Sequence, residues 1–370
     1  MNVSRLKKRD LIDRFMLLLN VFVLLILLIT YAAGMVSPLK FWPLAFVAMG
    51  YPVVLAWIVL FTAYWLFRRK WFMFLNIAFL LLRWDLVAAT VQLRTAPPTT
   101  VSEGIKVMTY NVRLFDYYNW SKNKNTRHWI YDFLFAQQPN ILCFQEFYHD
   151  YTGYFPTIDT LLEVNSLKHM HVENYTDKMN NKQLWGMATL SSYPIVNKGK
   201  IEFDGTYGNL CLFTDLQVND DTIRVYNLHL QSIRLGREGY AVLDELVSKQ
   251  ELKDLVGGKN ILKQMINGFR KRAQQAELVK AHMNACPYPV ILCGDFNDVP
   301  TSYAYQTLAA GLEDSFSQSG SGIGNTFVQL PVFRIDNILF SNEFVASEHM
   351  VHPYELSDHF AVSANLQFQN

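Results

Sequence analysis

The decapeptide VILCGDFNDV, residues 290–299, joins an apolar run to a cluster of polar side chains. The apolar run predicts a buried strand, and Asp295, Asn297 and Asp298 follow at its carboxyl end. Side chains of an extended chain alternate between two faces, so Asp295 and Asn297 should point the same way. A carboxylate and an amide paired in this way could bind and activate a small polar reactant. Gly, Asp and Asn before Pro300 also form ordinary turns, so this stretch alone leaves both interpretations open.

The same arrangement recurs at five other places in the chain. Polar residues of catalytic type stand where short apolar runs end or begin: Asn111 in TYNVR, Gln145 and Glu146 in FQE, Asn227, His229 and Gln231 in YNLHLQS, Arg334 and Asp336 in RIDNILF, and Ser357, Asp358 and His359 in SDHFAV. Each also has a structural interpretation, as a turn former, a solvated strand end, a buried histidine or, for Asp336, an ion pair with Arg334. Six coincidences of this kind favour one catalytic edge over six unrelated structural features.

Short strands that end at a common edge are needed to position these groups. The strand candidates are Ile105–Val112, Ile141–Gln145, Met187–Leu190, Leu210–Val218, Thr222–Leu230, Pro289–Gly294, Arg334–Phe340 and Phe360–Leu366. The helix candidates are Arg127–Gln137, Gly239–Val256 and Asn260–Asn284. Many short strands with few helices predict two packed sheets flanked by helices, an α/β sandwich formed by residues 105–370.

The first hundred residues have a different composition from the rest. They carry 11 Lys/Arg and 3 Asp/Glu, which leaves 22 and 29, a net charge of −7, for residues 101–370. Residues 11–36, 41–67 and 71–93 are apolar stretches, each long enough to cross a hydrocarbon core of about 30 Å. We therefore expect residues 1–94 to form a bundle of about three transmembrane helices that anchors the chain in a lipid bilayer. Since Arg83 and Asp85 interrupt the third stretch, the alternative is two spans followed by an interfacial helix.

Basic clusters predict the orientation of these spans. Lys and Arg are concentrated in residues 5–9 and 68–70, whereas the loop between the first two spans carries only Lys40. Positive clusters remain on the cytoplasmic side, so three spans would place everything after residue 94 outside. We expect an integral protein of the cytoplasmic (inner) membrane, with the catalytic domain on the extracytoplasmic side and residues 95–104 as a short linker.

The cysteines add little to this picture. Cys143, Cys211, Cys286 and Cys293 show no metal-binding spacing, and an even count permits disulfides without requiring them. The sequence determines neither their disulfide status nor the oligomeric state.

In this order, the segments TYNVR, FQE, GMATLSSYPI, YNLHLQS, GDFND, RIDNILF and SDHFAV resemble the endonuclease/exonuclease/phosphatase superfamily, here as a membrane-anchored bacterial-type member. The superfamily includes deoxyribonuclease I-like nucleases, inositol phosphatases and neutral sphingomyelinases. The matching segments span nearly all of residues 105–366, and GDFN followed in register by a terminal SDH is the specific part. The resemblance implies a deoxyribonuclease I-like sandwich and metal-dependent hydrolysis of phosphodiester or phosphomonoester bonds.

The resemblance also implies a metal site. Glu146, with Asn111 and Asp358 nearby, forms a set of hard oxygen ligands suited to Mg²⁺, with Mn²⁺ as the alternative ion. The phosphate contacts that nuclease members make through tyrosine or arginine are not assigned, and Tyr175 and Arg113 are candidates together with Tyr148.

The remaining residues receive acid–base and positioning roles from the same resemblance. Asp295 would orient or activate the attacking water, and the Asn297 amide would hold a phosphate oxygen. His359, polarised by Asp336, would act at the reacting phosphate, and His229 would protonate the leaving oxygen because histidine titrates near neutral pH.

The substrate class follows from charge and from the expected anchor. An acidic domain disfavours duplex DNA, whose binding depends on Lys and Arg, so a lipid or small phosphoester is favoured. A metal-dependent nuclease acting on DNA or RNA is the alternative, and a non-catalytic membrane binding module is the second alternative.

A long segment from Ser232 to about Ala285 separates two of the matching strands. It carries apolar residues at roughly helical spacing, namely Leu243, Leu246, Val247, Ile261, Leu262, Met265, Ile266 and Phe269. Packing against the sandwich and a lid or membrane-facing role both remain open for this segment.

Overall fold

Short apolar segments that end in polar residues form most of the strands. The computed structural model describes residues 3–94, 104–164, 167–175, 182–233 and 255–369. The strands are β1 (Ile105–Asn111), β2 (Ile141–Asp150), β3 (His169–Asn174), β4 (Gln183–Ser191), β5 (Ile195–Glu202), β6 (Leu210–Val218), β7 (Asp221–His229), β8 (Val290–Asp295), β9 (Glu313–Asp314), β10 (Asp336–Phe340), β11 (Phe344–Val351) and β12 (Val362–Phe368). The helices are α1 (Val3–Ala33), α2 (Pro38–Phe41), α3 (Pro43–Met49), α4 (Tyr51–Phe67), α5 (Phe72–Leu82), α6 (Trp84–Thr90), α7 (Thr126–Gln137), α8 (Thr157–Val164), α9 (Leu255–Asn284), α10 (Tyr303–Ala309) and α11 (Ser315–Ser319).

The strands form two six-stranded mixed sheets. The first has the order β11-β12-β1-β2-β4-β3 and the second the order β5-β6-β7-β8-β10-β9. β1 runs parallel to β2 and β7 parallel to β8, whereas β10 and β12 run antiparallel to β8 and β1. The carboxyl ends of four central strands and the starts of β10 and β12 therefore lie at one edge.

The two sheets pack face to face, with helices on the outer faces. The core between them takes apolar residues from both sheets, including Val107, Ile141, Val225, Ile291 and Val362. α7 and α8 cover the first sheet, and α9 and α10 cover the second. This is the predicted α/β sandwich, held together by burial of both faces of each sheet.

All eight predicted strands are present, and the described residues contain four more. β3, β5, β9 and β11 were not predicted, and all four lie at the edges of the sheets. β5, with the sequence IVNKGKIE, shows the reason: edge strands carry charged and half-exposed side chains, which hides their apolar alternation. The predicted helices Arg127–Gln137 and Asn260–Asn284 correspond to α7 and to most of α9. The predicted helix Gly239–Val256 falls almost wholly outside the described residues, as does most of the 95–104 linker. All four cysteines are free thiols.

The helical region at the start of the chain is more broken than its apolar pattern predicts. Asp10–Ala33 of α1 is long and apolar enough to cross a membrane. The stretch predicted as 41–67 bends by 56° between α3 and α4, and the stretch predicted as 71–93 bends by 81° between α5 and α6. Gly50 and Pro52 account for the first break, because proline has no N–H to continue the preceding helix. Within the described part of the chain, one helix is long and apolar enough to cross a membrane, or up to three if each bent pair counts as one span.

Polar side chains tie the helices of this region to one another. Asn20 Nδ2 donates to Asn76 Oδ1 at 2.9 Å, and Trp65 Nε1 donates to Asn20 Oδ1 at 2.6 Å. At the amino-terminal end of α1, Arg68 forms a bidentate pair with Asp13 at 2.9 and 2.8 Å. α1, α4 and α5 are therefore held in register by buried hydrogen bonds as well as by apolar packing.

The other end of the helical region is joined to the sandwich. Thr301 Oγ1 donates to Ala48 O at 2.7 Å, and the Phe46 and Phe269 rings pack edge to face at 5.0 Å. Arg334 Nη2 donates to Ala89 O at 2.9 Å. Three helices that are far apart in sequence, α3, α6 and α9, thus lie near the edge at which the strands end.

Candidate active site

The polar side chains at the strand ends meet at one edge of the sandwich. All eight predicted site residues lie there: Asn111 and Glu146 on β1 and β2, His229 and Asp295 at the ends of β7 and β8, Asn297 in the following turn, Asp336 at the start of β10, and Asp358 and His359 before β12. Parallel pairing within each sheet brings the strand ends together, and the antiparallel neighbours return their starting residues to the same place.

Asp295 is the centre of the site and is almost fully buried. It accepts hydrogen bonds from Asn111 Nδ2 at 3.1 Å and from the Asn297 backbone and side-chain nitrogens at 2.8 and 3.0 Å. His229 Nε2 lies 3.6 Å and His359 Nε2 3.8 Å from Asp295 Oδ2. Burial raises the pKa of Asp295, and the charge of His359 offsets only part of this. Asp295 is therefore a fixed carboxylate suited to accepting a proton.

His359 is held between two carboxylates. Its Nδ1 lies 2.9 Å from Asp336 Oδ2, and its Nε2 faces Asp295. Burial lowers the pKa of His359, but Asp336 and Asp295 together raise it well above its ordinary value. Asp336 is not paired with Arg334, whose guanidinium instead contacts Asp314 at 2.6 Å. The alternative of a simple Arg334–Asp336 ion pair is thereby removed.

His229 connects Asp295 to a tyrosine. Its Nδ1 lies 3.2 Å from Tyr175 Oη, while its Nε2 faces Asp295. Tyr175 follows β3, and its hydroxyl also accepts a hydrogen bond from the Glu146 backbone N–H at 3.0 Å. The ring orientation of His229 is therefore fixed from both sides, as an acid–base group requires.

Glu146 reaches the site through a bulge in β2. The pairing of β2 with β4 shifts register between Phe144 and Phe147, and Glu146 has a left-handed φ of 50°. Burial and the nearby carboxylate of Asp358 raise the pKa of Glu146 to about 7. Asn111 Nδ2 lies 3.5 Å from Glu146 Oε1. A cation placed here would relieve the crowding of negative charge that raises this pKa.

The donor set around Glu146 fits a hard divalent cation. Glu146 and Asp358 supply carboxylate oxygens, and Asn111 supplies an amide. As oriented, Asn111 presents its nitrogen to Glu146 while its Oδ1 accepts from the Arg113 backbone at 3.2 Å, so a ligand role requires the amide to turn over. Arg113 Nε also lies 3.4 Å from Asp358 Oδ2. These are the residues of the predicted metal site, and their role as metal ligands stays a prediction.

A second group of potential ligands lies beside the first. Donor atoms of Asp295, Asp336 and His359 all fall within 4.8 Å of one another. The His359 Nδ1 atom is already bound to Asp336, and its Nε2 faces Asp295 as a proton donor would. This geometry favours a hydrogen-bonded carboxylate–imidazole–carboxylate chain, and leaves Glu146 and Asp358 as the better cation ligands.

The two other polar residues of the GDFND stretch hold the loop in place. Asn297 has a φ of 52°, and its Nδ2 donates to Leu230 O at 3.0 Å as well as to Asp295. A phosphate oxygen would have to displace one of these two bonds. Asp298 is buried and pairs with Arg272 of α9 at 2.8 Å. The stretch is thus a turn in form, and its turn presents Asp295 to the site.

A cleft of about 340 Å³ opens over these residues. Its polar side includes Glu146, His229, Asp295, Asp358 and His359. Its remaining lining is mostly apolar and includes Met49, Ile233, Ile261, Met265, Val299, Phe327, Leu330, Phe333 and Ile335, together with the polar residues Ser232, Arg272 and Gln329. One of these residues, Met49, belongs to the helical region at the start of the chain.

Two of the three candidate phosphate contacts lie near the site. Tyr175 and Arg113 contact His229 and Asp358 as described, whereas Tyr148 is fully buried in the core beneath α8. The long segment before β8 packs against the helical region through Phe269, which is 1% exposed, and lines the cleft through Ile261 and Met265. Of the other apolar residues cited for it, Leu262 is exposed and Ile266 is half-buried, whereas Leu243, Leu246 and Val247 lie outside the described residues. The place of Met49 in the cleft had no signal in the sequence, because it depends on a contact between distant segments.

Family models match both parts of the chain. The model described as the endonuclease/exonuclease/phosphatase family matches residues 108–359, and one described as a domain of unknown function matches residues 13–90. None of the curated protein sequences matches the chain.

Several solved structures share the fold. An endonuclease/exonuclease/phosphatase from Beutenbergia cavernae is 18% identical over 73% of this chain and 72% of its own, with a TM-score of 0.52. One from Bacteroides vulgatus is 16% identical over 72% of this chain and 100% of its own, also with a TM-score of 0.52. A mannosyl-6-phosphatase from Bacteroides thetaiotaomicron is 18% identical over 71% of this chain and 100% of its own, with a TM-score of 0.50. At these identities the likeness is one of fold.

Proposed function

Because the chain belongs to the endonuclease/exonuclease/phosphatase family, whose members hydrolyse phosphoester bonds, we propose that it is a membrane-anchored, divalent-metal-dependent hydrolase of lipid or small phosphoesters. The main support for this proposal is one arrangement of side chains. Asp295, His229 and the Asp336–His359 pair lie together beside the carboxylate oxygens of Glu146. A non-catalytic binding module would have no need to bury the carboxylates of Asp295 and Asp336 together, since each costs free energy to desolvate.

The side chains divide the reaction between them. Asp295, fixed by Asn297, accepts a proton from the attacking water and aligns it. His359 donates to a phosphoryl oxygen, with its charge held by Asp336. His229 gives its proton to the leaving oxygen.

Glu146, with Asp358 and the amide of Asn111, would hold a Mg²⁺ ion, with Mn²⁺ as the alternative. When bound, that ion would supply positive charge at the phosphoryl oxygens. Among the described residues, Arg113 forms an ion pair with Asp358 at 3.4 Å, and no Lys or Arg forms one with Glu146.

Charge and shape favour lipid or small phosphoesters over nucleic acid. Residues 101–370 carry a net charge of −7, whereas nucleic-acid binding relies on neutralising phosphates with Lys and Arg. One wall of the cleft is apolar. Cleavage of DNA or RNA is the alternative that the experiment below includes.

The helical region would anchor the chain with its sandwich on the extracytoplasmic side of the cytoplasmic membrane. Arg68 pairs with Asp13 at one end of the bundle, and the sandwich contacts α3 and α6 at the other. Positive clusters remain in the cytoplasm. In right-side-out vesicles, an impermeant maleimide should label Asp220→Cys in a Cys286→Ser background. Labelling only after permeabilisation would mean that residues 71–93 do not cross.

A side-by-side assay of the full chain tests the activity. Purified protein is given Mg²⁺ or EDTA with DNA, RNA, sphingomyelin and inositol phosphates, and the same assay is applied to Glu146→Ala, Asp295→Ala and His359→Ala. We expect each variant to lose about 10²-fold or more in rate, the usual scale for a catalytic acid or base. Asp220→Ala, an exposed carboxylate in the β6–β7 turn, is the matched control and should retain full activity.

Two results would count against this function. Near-normal turnover in any two of the three site variants at saturating Mg²⁺ would exclude the mechanism. Hydrolysis that EDTA leaves unchanged would exclude the metal dependence.

A further inference from the structure

The apolar residues that line the cleft, its apolar wall, come from three parts of the chain that are far apart in sequence. Ile261 and Met265 come from α9, and Leu330 and Phe333 come from the loop before β10. Met49, the last residue of α3, completes the wall from the helical region. The same cleft contains Glu146, Asp295 and His359, so polar and apolar surfaces face one substrate space.

The position of Met49 is fixed by contacts on both sides. The preceding residue, Ala48, accepts a hydrogen bond from Thr301 Oγ1 at 2.7 Å. Phe46, one turn earlier, packs on Phe269 of α9 at 5.0 Å. α3 ends at Met49, and the chain bends by 56° between α3 and α4. These contacts hold α3 against the sandwich, so that Met49 forms part of the cleft wall.

The wall lies at the end of the helix bundle where a membrane surface would be. The chain runs from Asp13 of α1, which is bound to Arg68, to Gly34, directly after the end of α1, whose neighbour is Gln306 of α10. These 21 residue steps cover about 30 Å at 1.5 Å per residue, the thickness of a hydrocarbon core. Arg83, bound to Gln306 at 2.8 Å, lies at the same end, where a charge remains hydrated. The cleft thus opens close to the level of lipid headgroups.

We propose, building on the phosphoester hydrolysis proposed above, that the helical region forms part of the substrate site and that the substrate is an amphipathic lipid phosphoester. Its phosphate binds at Asp295 and His359, and the first part of its apolar chain lies along Met49, Ile261 and Met265. A sugar phosphate or a nucleotide would leave this wall facing water. The substrate would reach the site from the bilayer that holds α1 and α4.

A homologous series of substrates separates the contribution of the apolar wall to binding from the hydrolysis of the phosphoester bond. Alkyl p-nitrophenyl phosphodiesters from butyl to decyl share one reacting group and differ only in the apolar chain; alkyl phosphates, assayed by phosphate release, form the parallel monoester series. With full-length protein in detergent and below the micelle concentration of each ester, kcat/KM should rise at least tenfold from butyl to decyl. Each methylene group that leaves water strengthens binding of the ester. Burial of only part of the added alkyl chain is therefore enough to give this rise in kcat/KM.

Two variants test whether the dependence of kcat/KM on alkyl-chain length arises from contact with the apolar wall. Met265→Glu and Met49→Gln should each bring the decyl-to-butyl ratio close to one. Leu278→Glu, an exposed apolar position on the same helix that does not line the cleft, should keep the ratio. Thermal denaturation verifies that each variant is folded, and Met265, half-buried on a helix surface, serves if Met49→Gln does not fold.

The outcomes distinguish this inference from the function on which it rests. A wild-type ratio near one, or a ratio that both variants retain, would overturn the lipid site while leaving phosphoester hydrolysis intact. Hydrolysis of no ester in either series, with Mg²⁺ present, would mean that the proposed function itself fails. Efficient cleavage of DNA or RNA without a chain-length effect would also reject the lipid substrate.

Discussion

Gly294 of β8 lies beneath the site, against Leu228 of β7. It has a φ of +140°, a conformation that residues with a side chain rarely adopt. A Cβ atom added there would lie 2.0 Å from Leu228 O and 2.7 Å from Leu228 N. The parallel register pairs Leu228 with Gly294 and His229 with Asp295. Gly294→Ala should therefore disturb stability and the catalytic pair together.

The size of the effect follows from that contact. Ordinary contact begins at 3.4 Å, so the two strands must separate by about 1.4 Å locally. We expect the loss of about two backbone hydrogen bonds, each contributing about 1 kcal/mol, and backbone strain of about 1–3 kcal/mol. The free energy of unfolding should fall by about 3–5 kcal/mol, which lowers Tm by about 10 °C. A shift of this size at the His229–Asp295 contact should also lower kcat/KM by about 10²-fold.

Thermal denaturation and phosphoester hydrolysis of the full-length protein measure both effects. Gly311→Ala is the matched control, because Gly311 has a φ of +78° and no atom within 4 Å of the added Cβ. It should cost about 1 kcal/mol and leave activity unchanged. If Gly294→Ala were no less stable than Gly311→Ala, the steric argument would be refuted. Normal activity in a destabilised Gly294→Ala would instead refute the coupling to His229.

Two further perturbations test buried ionisable side chains. Arg334→Met leaves the Asp314 carboxylate buried without its 2.6 Å partner and should cost about 3–5 kcal/mol in denaturant unfolding, with partial recovery when Asp314→Asn is added; an unchanged unfolding midpoint would contradict this. Burial lowers the pKa of His349 to about 3 and those of His171 and His352 to about 4. The unfolded chain takes up these protons first, so stability should be full above about pH 6.5 and should fall at lower pH, by at most about 2 kcal/mol per histidine at pH 5. His349→Gln should flatten this dependence, and equal unfolding free energies at pH 5 and 7.5 in the wild type would exclude it.

The central strands and the site could be predicted because one feature of the sequence encodes both. Each apolar run is short and ends in a polar residue, as in TYNVR and GDFND, so strand ends and site residues are located together. Face-to-face packing of the two sheets then brings Asn111 of β1 close to Asp295 of β8, although 184 positions separate them. The roles given to these residues remain predictions, because the structure establishes their geometry and no reaction.

The parts that could not be predicted depend on long-range contacts. β3 and β11 lie at sheet edges, where half-exposed polar side chains weaken the strand pattern. The long apolar stretch 41–67 predicts one helix, whereas contacts of Ala48 and Phe46 with the sandwich stabilise a bend at Gly50. A hydropathy pattern identifies apolar stretches of the sequence but does not predict such a bend.

The link between Arg334 and α6 decides which form of the protein should be studied. Arg334 lies two positions before Asp336 and donates to the carbonyl of Ala89, near the carboxyl end of α6, at 2.9 Å. It also donates to Asn337 Oδ1 at 2.6 Å, beside the residue that orients His359. Removing the helical region would take away this carbonyl acceptor and expose the buried guanidinium next to the catalytic edge. Deletion of residues 1–94 should therefore perturb the surroundings of Asp336 and lower the activity of the sandwich. Activity measured on the full chain is the activity of the intact site.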